Sequence, residues 1–114
     1  MTINEAITIV DELKPNAYST EDKIRWLNDI NGRISVTVHN NKKYNPINNP
    51  DEMLLVQSPY ENLYILYLIA MIDYNNEESG PYTNDIMLFN NALDEYKKWY
   101  LKNVSKNGRI KNYW

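Results

Sequence analysis

His39 is the one histidine of the chain and cysteine is absent, so nucleophilic, redox or metal chemistry would have to rest on a single imidazole and on carboxylates. A histidine working as general base needs a nucleophile within reach and a third group to orient it. His39 has no patterned carboxylate beside it and falls where a helical pattern ends, so it reads as a solvated helix-terminal residue. Adjacent carboxylate pairs occur at Glu21-Asp22, Asp51-Glu52, Glu77-Glu78 and Asp94-Glu95, among others. Adjacent positions on a helix diverge, which keeps such pairs from clasping one metal or substrate; they read as helix-dipole partners and solvated surface. The EF-hand spacing, the Walker loop, GxGxxG and HExxH are all missing, and 3 glycines could hardly cradle a phosphate. The lack of cysteine also excludes a disulfide framework and a Cys-ligated zinc, and it fits an intracellular life. Asn103-Val104-Ser105 spells a glycosylation sequon, accidental in a chain whose N-terminus has no basic n-region before its apolar residues. The expectation is a protein without enzymatic activity, metal or cofactor.

A second kind of chemistry is charge recognition. Net charge is -3, but residues 1–95 hold all 15 acids against 6 bases, while residues 96–114 hold 6 bases and no acid. The result is an acidic body with a basic tail. In that tail Lys106, Arg109 and Lys111 are interleaved with Ile110, Tyr113 and Trp114. Three readings stand side by side. The tail stacks on nucleic acid, although an acidic body opposes the counterion release that drives such binding. It is a helix end enriched in lysine for the dipole, followed by a frayed segment. Or it docks on an acidic surface of a partner or of a neighbouring copy.

The elements that must position these residues follow from periodicity. With 114 residues one domain is expected, at the marginal end of surface-to-volume scaling. Thr2 and Glu5 make a capping box, and Ile3, Ala6, Ile7, Val10 and Leu13 continue at helical spacing until Lys14-Pro15. Ser19 caps a second helix, with Ile24, Leu27, Ile34 and Val38 on one side, a weak point at Asn31-Gly32 and an end near His39. Residues 40–57 contain "NNKKYNPINNPDE" and show no period, which predicts a long loop of the functional or mobile kind, with "MLLVQ" as a short extended piece. Ser58, Pro59 and Glu61 predict a second capping box opening helix 3, over about 59–76. A fourth helix is expected over about 81–102, with Ile86, Phe89, Leu93, Tyr96 and Tyr100 as its core-facing stripe. The predicted fold class is all-α: a small bundle of about four helices, a long loop between helices 2 and 3, and an irregular C-terminal tail. Residues 1–104 form the helical domain and 105–114 the basic aromatic tail. The longest uncharged apolar run, residues 63–72, is about half of the ~20 residues a membrane crossing needs, so no membrane partner is expected.

Helix 3, "SPYENLYILYLIAMIDYN", is apolar nearly all round. Ile65, Leu68, Ile69 and Ile72 form an aliphatic side, and Tyr60, Tyr64, Tyr67, Met71 and Tyr74 follow along another. A helix of this kind must be covered nearly all round. One account puts it at the bundle centre with hydroxyls reaching outward. The other leaves part of the stripe, Tyr60, Tyr64, Tyr67 and Tyr74, as a subunit interface, since tyrosine is enriched in interface cores.

Residues 2–30 and 58–96, through "LKPNAYS", "KIRWL", "PYENLY" and the Tyr, Phe-Asn and Ala pattern of helix 4, resemble small helical head-tail connector proteins of tailed phages and prophages of low-GC Gram-positive bacteria. These are also called adaptor or head-completion proteins. The likeness covers roughly residues 2–102 and contains no catalytic motif; the Asn-rich loop and the tail depart from it. What the resemblance implies is a structural role in the virion neck, assembled in the bacterial cytoplasm. A ring of about twelve copies would sit beneath the portal protein, extend the DNA channel without sequence-specific binding, and offer a platform to downstream neck or tail proteins. In that setting Lys106, Arg109, Ile110, Lys111, Tyr113 and Trp114 form the partner-docking arm. A small DNA-binding or regulatory protein using the same basic tail is the alternative.

Overall fold

The computed structural model describes residues 1–104. These form four helices, α1 (Ile3–Leu13), α2 (Thr20–Thr37), α3 (Asn62–Asn75) and α4 (Ser79–Tyr100). Among the described residues there is no strand, only an isolated antiparallel bridge between Thr2 and Met53. The fold is therefore an all-α bundle with a long loop between α2 and α3.

Local chemistry sets the helix starts. Thr2 Oγ1 accepts from the Glu5 amide at 3.1 Å and Glu5 Oε1 accepts from the Thr2 amide at 2.8 Å, closing the expected capping box. Those bonds favour the ionised form and hold the Glu5 carboxyl below its ordinary range. Ser19 Oγ accepts from the Asp22 amide at 3.0 Å and starts α2. The predicted capping box of α3 is not formed. Tyr60 donates its amide to the Gln57 carbonyl in a turn, the helix opens at Asn62, and its N-cap Glu61 makes no side-chain cap. The Glu61 carboxylate is engaged elsewhere, 2.5 Å from the amino group of Met1.

α3 is the axis of the bundle. It touches α1, α2 and α4, and its contact with α4 is the most extensive between helices. Leu63, Tyr64, Ile65, Tyr67, Leu68, Ala70 and Ile72 are buried along it, which answers its lack of a polar face. The predicted α4 stripe faces inward: Phe89 and Tyr96 are buried, and Ile86, Leu93 and Tyr100 are half-buried against the core.

The long loop is a working part of that core rather than a loose connection. Ile47, Leu54 and Val56 are buried in it. Its backbone ties to the start of α1 through the Asn4 amide on the Pro50 carbonyl (2.9 Å) and the Leu54 amide on the Met1 carbonyl (3.0 Å). Asn28 of α2 completes the attachment, accepting from the Ile47 amide (2.8 Å) and donating to its carbonyl (3.0 Å).

The residues singled out as a weak point of α2 do the opposite. Asn31 is fully buried; its Oδ1 accepts from Tyr64 Oη (2.6 Å) and the Leu55 amide (3.2 Å), while its Nδ2 donates to Tyr44 Oη (3.0 Å). Tyr64 Oη in turn accepts from the Val56 amide at 2.9 Å. This satisfied polar network links α2, the loop and α3. Gly32 leaves room for the Tyr44 ring, whose Cδ2 would lie 3.0 Å from an added Cβ.

Candidate docking surface

α3 and α4 form a helical hairpin, and both of its ends carry unusual side chains. At the turn, Glu77 takes a left-handed backbone conformation (φ 59°), and the Glu78 amide donates to the Asp73 carbonyl at 3.0 Å. Tyr18 Oη reaches across from the α1–α2 connection to Asn76 Oδ1 at 2.7 Å, which fixes the turn to the body. Asp73, Tyr74, Asn75, Glu77, Glu78, Ser79 and Tyr82 line a cleft of about 570 Å³ with no cationic side chain among them. Tyr74 is 61% exposed and its ring lies 5.5 Å from that of Tyr82.

Asp73 is the chemically distinctive member. It sits near the C-terminus of an almost wholly apolar helix and is fully buried. Lys14, at the end of α1, donates to its Oδ1, and its Oδ2 has no donor apart from what a protonated neighbouring carboxyl can supply. The neighbouring carboxyl is that of Asp85 on α4, which can donate to Asp73 only when protonated. That shared proton, followed by burial and by the like charge, pushes Asp85 up to about 6 against the opposing pull of Lys14. The bond to Asp73 likewise raises Lys14 above its ordinary value.

The opposite end of the hairpin is aromatic. His39 is half-buried: its Nε2 lies 2.6 Å from Tyr96 Oη, and its ring stacks on Tyr100 at 4.5 Å. Burial lowers its pKa and raises that of Tyr96 to about 12. The expectation of a solvated helix-terminal histidine is thus corrected, because the end of α2 lies beside the end of α4 and the two bury the ring together. Tyr60 joins the cluster, 5.7 Å from Tyr96 and 5.4 Å from Trp99. A cleft of about 200 Å³ opens among His39, Tyr60, Trp99, Tyr100 and Val104. Lys97, Lys98 and Lys102 lie at this same end, Lys98 and Lys102 exposed.

The tyrosine stripe divides by environment. Tyr64 and Tyr67 are covered by the chain itself, Tyr60 is half-buried in the aromatic cluster, and Tyr74 stands open at the acidic cleft. Lys106, Arg109, Ile110, Lys111, Tyr113 and Trp114 lie outside the described residues. The sequence reading missed Asp73, Asp85 and Tyr82; Glu77 and Glu78, read as dipole partners and solvated surface, are exposed and line the cleft. The available signal was one acid, Asp73, directly after "LIAMI" on a helix with no polar face. Among the described residues no group of three or more His, Asp or Glu side chains is placed to hold a metal ion, and no helix is long and apolar enough to cross a membrane. Comparison of the chain with protein-family models, curated proteins and solved structures finds no match.

Proposed function

We propose that this protein is a structural head-tail connector of a tailed phage or prophage, without enzymatic activity. About twelve copies form a ring under the portal protein, extend the DNA channel and present a platform to the next neck or tail component. The observation that carries the reading is the polarity of the α3–α4 hairpin, with the exposed carboxylates Glu77 and Glu78 beside the Lys14-paired Asp73 at its turn and Lys97, Lys98 and Lys102 at its far end. Two unlike patches on one rigid unit suit heterologous contacts, the kind that close rings. The resemblance of residues 2–30 and 58–96 to connector proteins supports the same role. An acidic body also lets DNA pass without adhering, since phosphates release counterions only where cations neutralise them.

The test is native mass measurement of the full chain with and without the cognate portal protein. Multiple copies on the portal are the expected result, and a chain ending at Asn103 should lose that binding while keeping its helical signal. Unchanged portal binding by the shortened chain would remove the docking role from residues 106–114. The second reading, a DNA-binding or regulatory protein, is favoured by the basic residues beyond Glu95. It requires a mobility shift on duplex DNA that weakens steeply with salt; the connector reading requires none.

A further inference from the structure

We infer that the acidic cleft at the α3–α4 turn is the socket for the basic aromatic segment, residues 106–114, of a second copy of this chain. The inference builds on the connector reading and specifies which two surfaces meet.

Charge is the first argument. Asp73, Glu77 and Glu78 line the cleft; Lys14 pairs with Asp73, while Glu77 and Glu78 are exposed and have no cation among the lining residues. The C-terminal end of α3 opens there as well, and that helix has no basic residue in its last turn to meet the negative end of its dipole. Lys106, Arg109 and Lys111 are the complementary groups, in a stretch that holds no acid.

Shape chemistry is the second. The exposed face of Tyr74 beside Tyr82 offers a π surface for a guanidinium or an aromatic ring. Arg109, Tyr113 and Trp114 are of the matching types.

Reach is the third, and it selects a second copy over the same chain. α4 starts at the cleft, and its 22 residues carry the chain about 33 Å away at 1.5 Å per residue. From Val104, five residues to Arg109 span at most about 18 Å, and seven to Lys111 about 25 Å. The cations therefore fall short of the cleft on their own chain. A neighbour set head-to-tail presents its arm at the right end, and the same contact repeats from copy to copy.

The test mixes full-length chains of natural and heavy nitrogen content and joins carboxylates to amines with a zero-length carbodiimide cross-linker. Expected are mixed-isotope peptides linking Lys106 or Lys111 to Glu77 or Glu78. Self-association read by sedimentation velocity at low salt should weaken at least roughly tenfold in E77K/E78K and in K106E/R109E/K111E, and recover when those two variants are mixed with each other. E77Q/E78Q, which removes the charge without reversing it, gives an intermediate loss of that self-association and guards against misfolding, with circular dichroism verifying each fold. Links within one isotopic chain only, self-association unchanged in E77K/E78K, or no mixed links in the folded protein would each overturn the contact. Portal binding is scored separately: portal binding without mixed links sinks this socket and leaves the connector role standing, and mixed links without portal binding do the reverse.

Discussion

Two side chains show how much hangs on single polar atoms in this small core. Tyr64 Oη is fully enclosed, donating to Asn31 and accepting from the Val56 amide, and burial pushes its ionisation far above the ordinary tyrosine range. Tyr64→Phe leaves the ring in place but strands the Val56 amide, so urea unfolding should show a loss of about 1–3 kcal/mol with an unchanged m-value. Asp85 yields a pH signature. Its unfolded carboxyl titrates near 3.8 and its folded one near 6, so the folded state holds the proton more tightly. Its contribution is complete below about 3.8 and is lost as pH rises through 6. His39 runs the other way: its lowered folded pKa contributes stability above 6.5 that is lost as pH falls below that value. Asp85→Asn keeps an amide donor for Asp73 at every pH. The difference in unfolding free energy between variant and parent should therefore grow in the variant's favour from pH 4 to pH 7, by roughly 1 kcal/mol or less because Asp85 is partly exposed. A flat difference curve would refute the shared proton.

Among the elements, α2 and α4 use glycine for different reasons. Gly80 lies in the first turn of α4 with nothing within 4 Å of an added Cβ. Gly80→Ala should stabilise the protein by up to about 1 kcal/mol, through helix propensity and a less disordered unfolded chain. Gly32 has the same propensity to gain, yet its added methyl meets the Tyr44 ring at 3.0 Å. That ring is held by its hydroxyl, which donates to Asn28 Oδ1 at 2.7 Å and accepts from Asn31. Displacing it disturbs the attachment of the whole loop, so Gly32→Ala should destabilise by about 1 kcal/mol net despite the better helix former. Thermal denaturation of the two variants side by side distinguishes a passive glycine from a packing one; equal shifts would remove the role given to Tyr44.

For the whole molecule, the arrangement of charge matters more than its net value. The turn of the hairpin carries Asp73, Glu77 and Glu78, and the end of α4 carries Lys97, Lys98 and Lys102, with the basic residues 106–111 following in sequence. The self-association proposed through such ends would be electrostatic and in the solvent-accessible range that salt screens, the Debye length shrinking from about 30 Å at 0.01 M to about 3 Å at 1 M. Sedimentation velocity should therefore show a larger average mass at low salt that falls toward the monomer as salt is raised. Association that strengthens with salt would indicate apolar contact instead, through exposed residues of α4 such as Met87 and Leu88.

Periodicity and capping chemistry were enough to determine the all-α class, the four helices, the box at Thr2 and Glu5, the inward stripe of α4 and the position of the long connection. These are local properties, readable because a 3.6-residue repeat and a cap depend on a few neighbouring side chains. What the tertiary structure alone decided involves partners far apart in sequence. Glu61 left its helix start for the amino group of Met1, Asn31 became the hub joining Tyr44, Leu55 and Tyr64, His39 was buried by Tyr96 and Tyr100, and Asp73 met Lys14 and Asp85. A polar side chain looks the same in sequence whether it ends in water or in a core; only the fold shows which donor or acceptor it finds there.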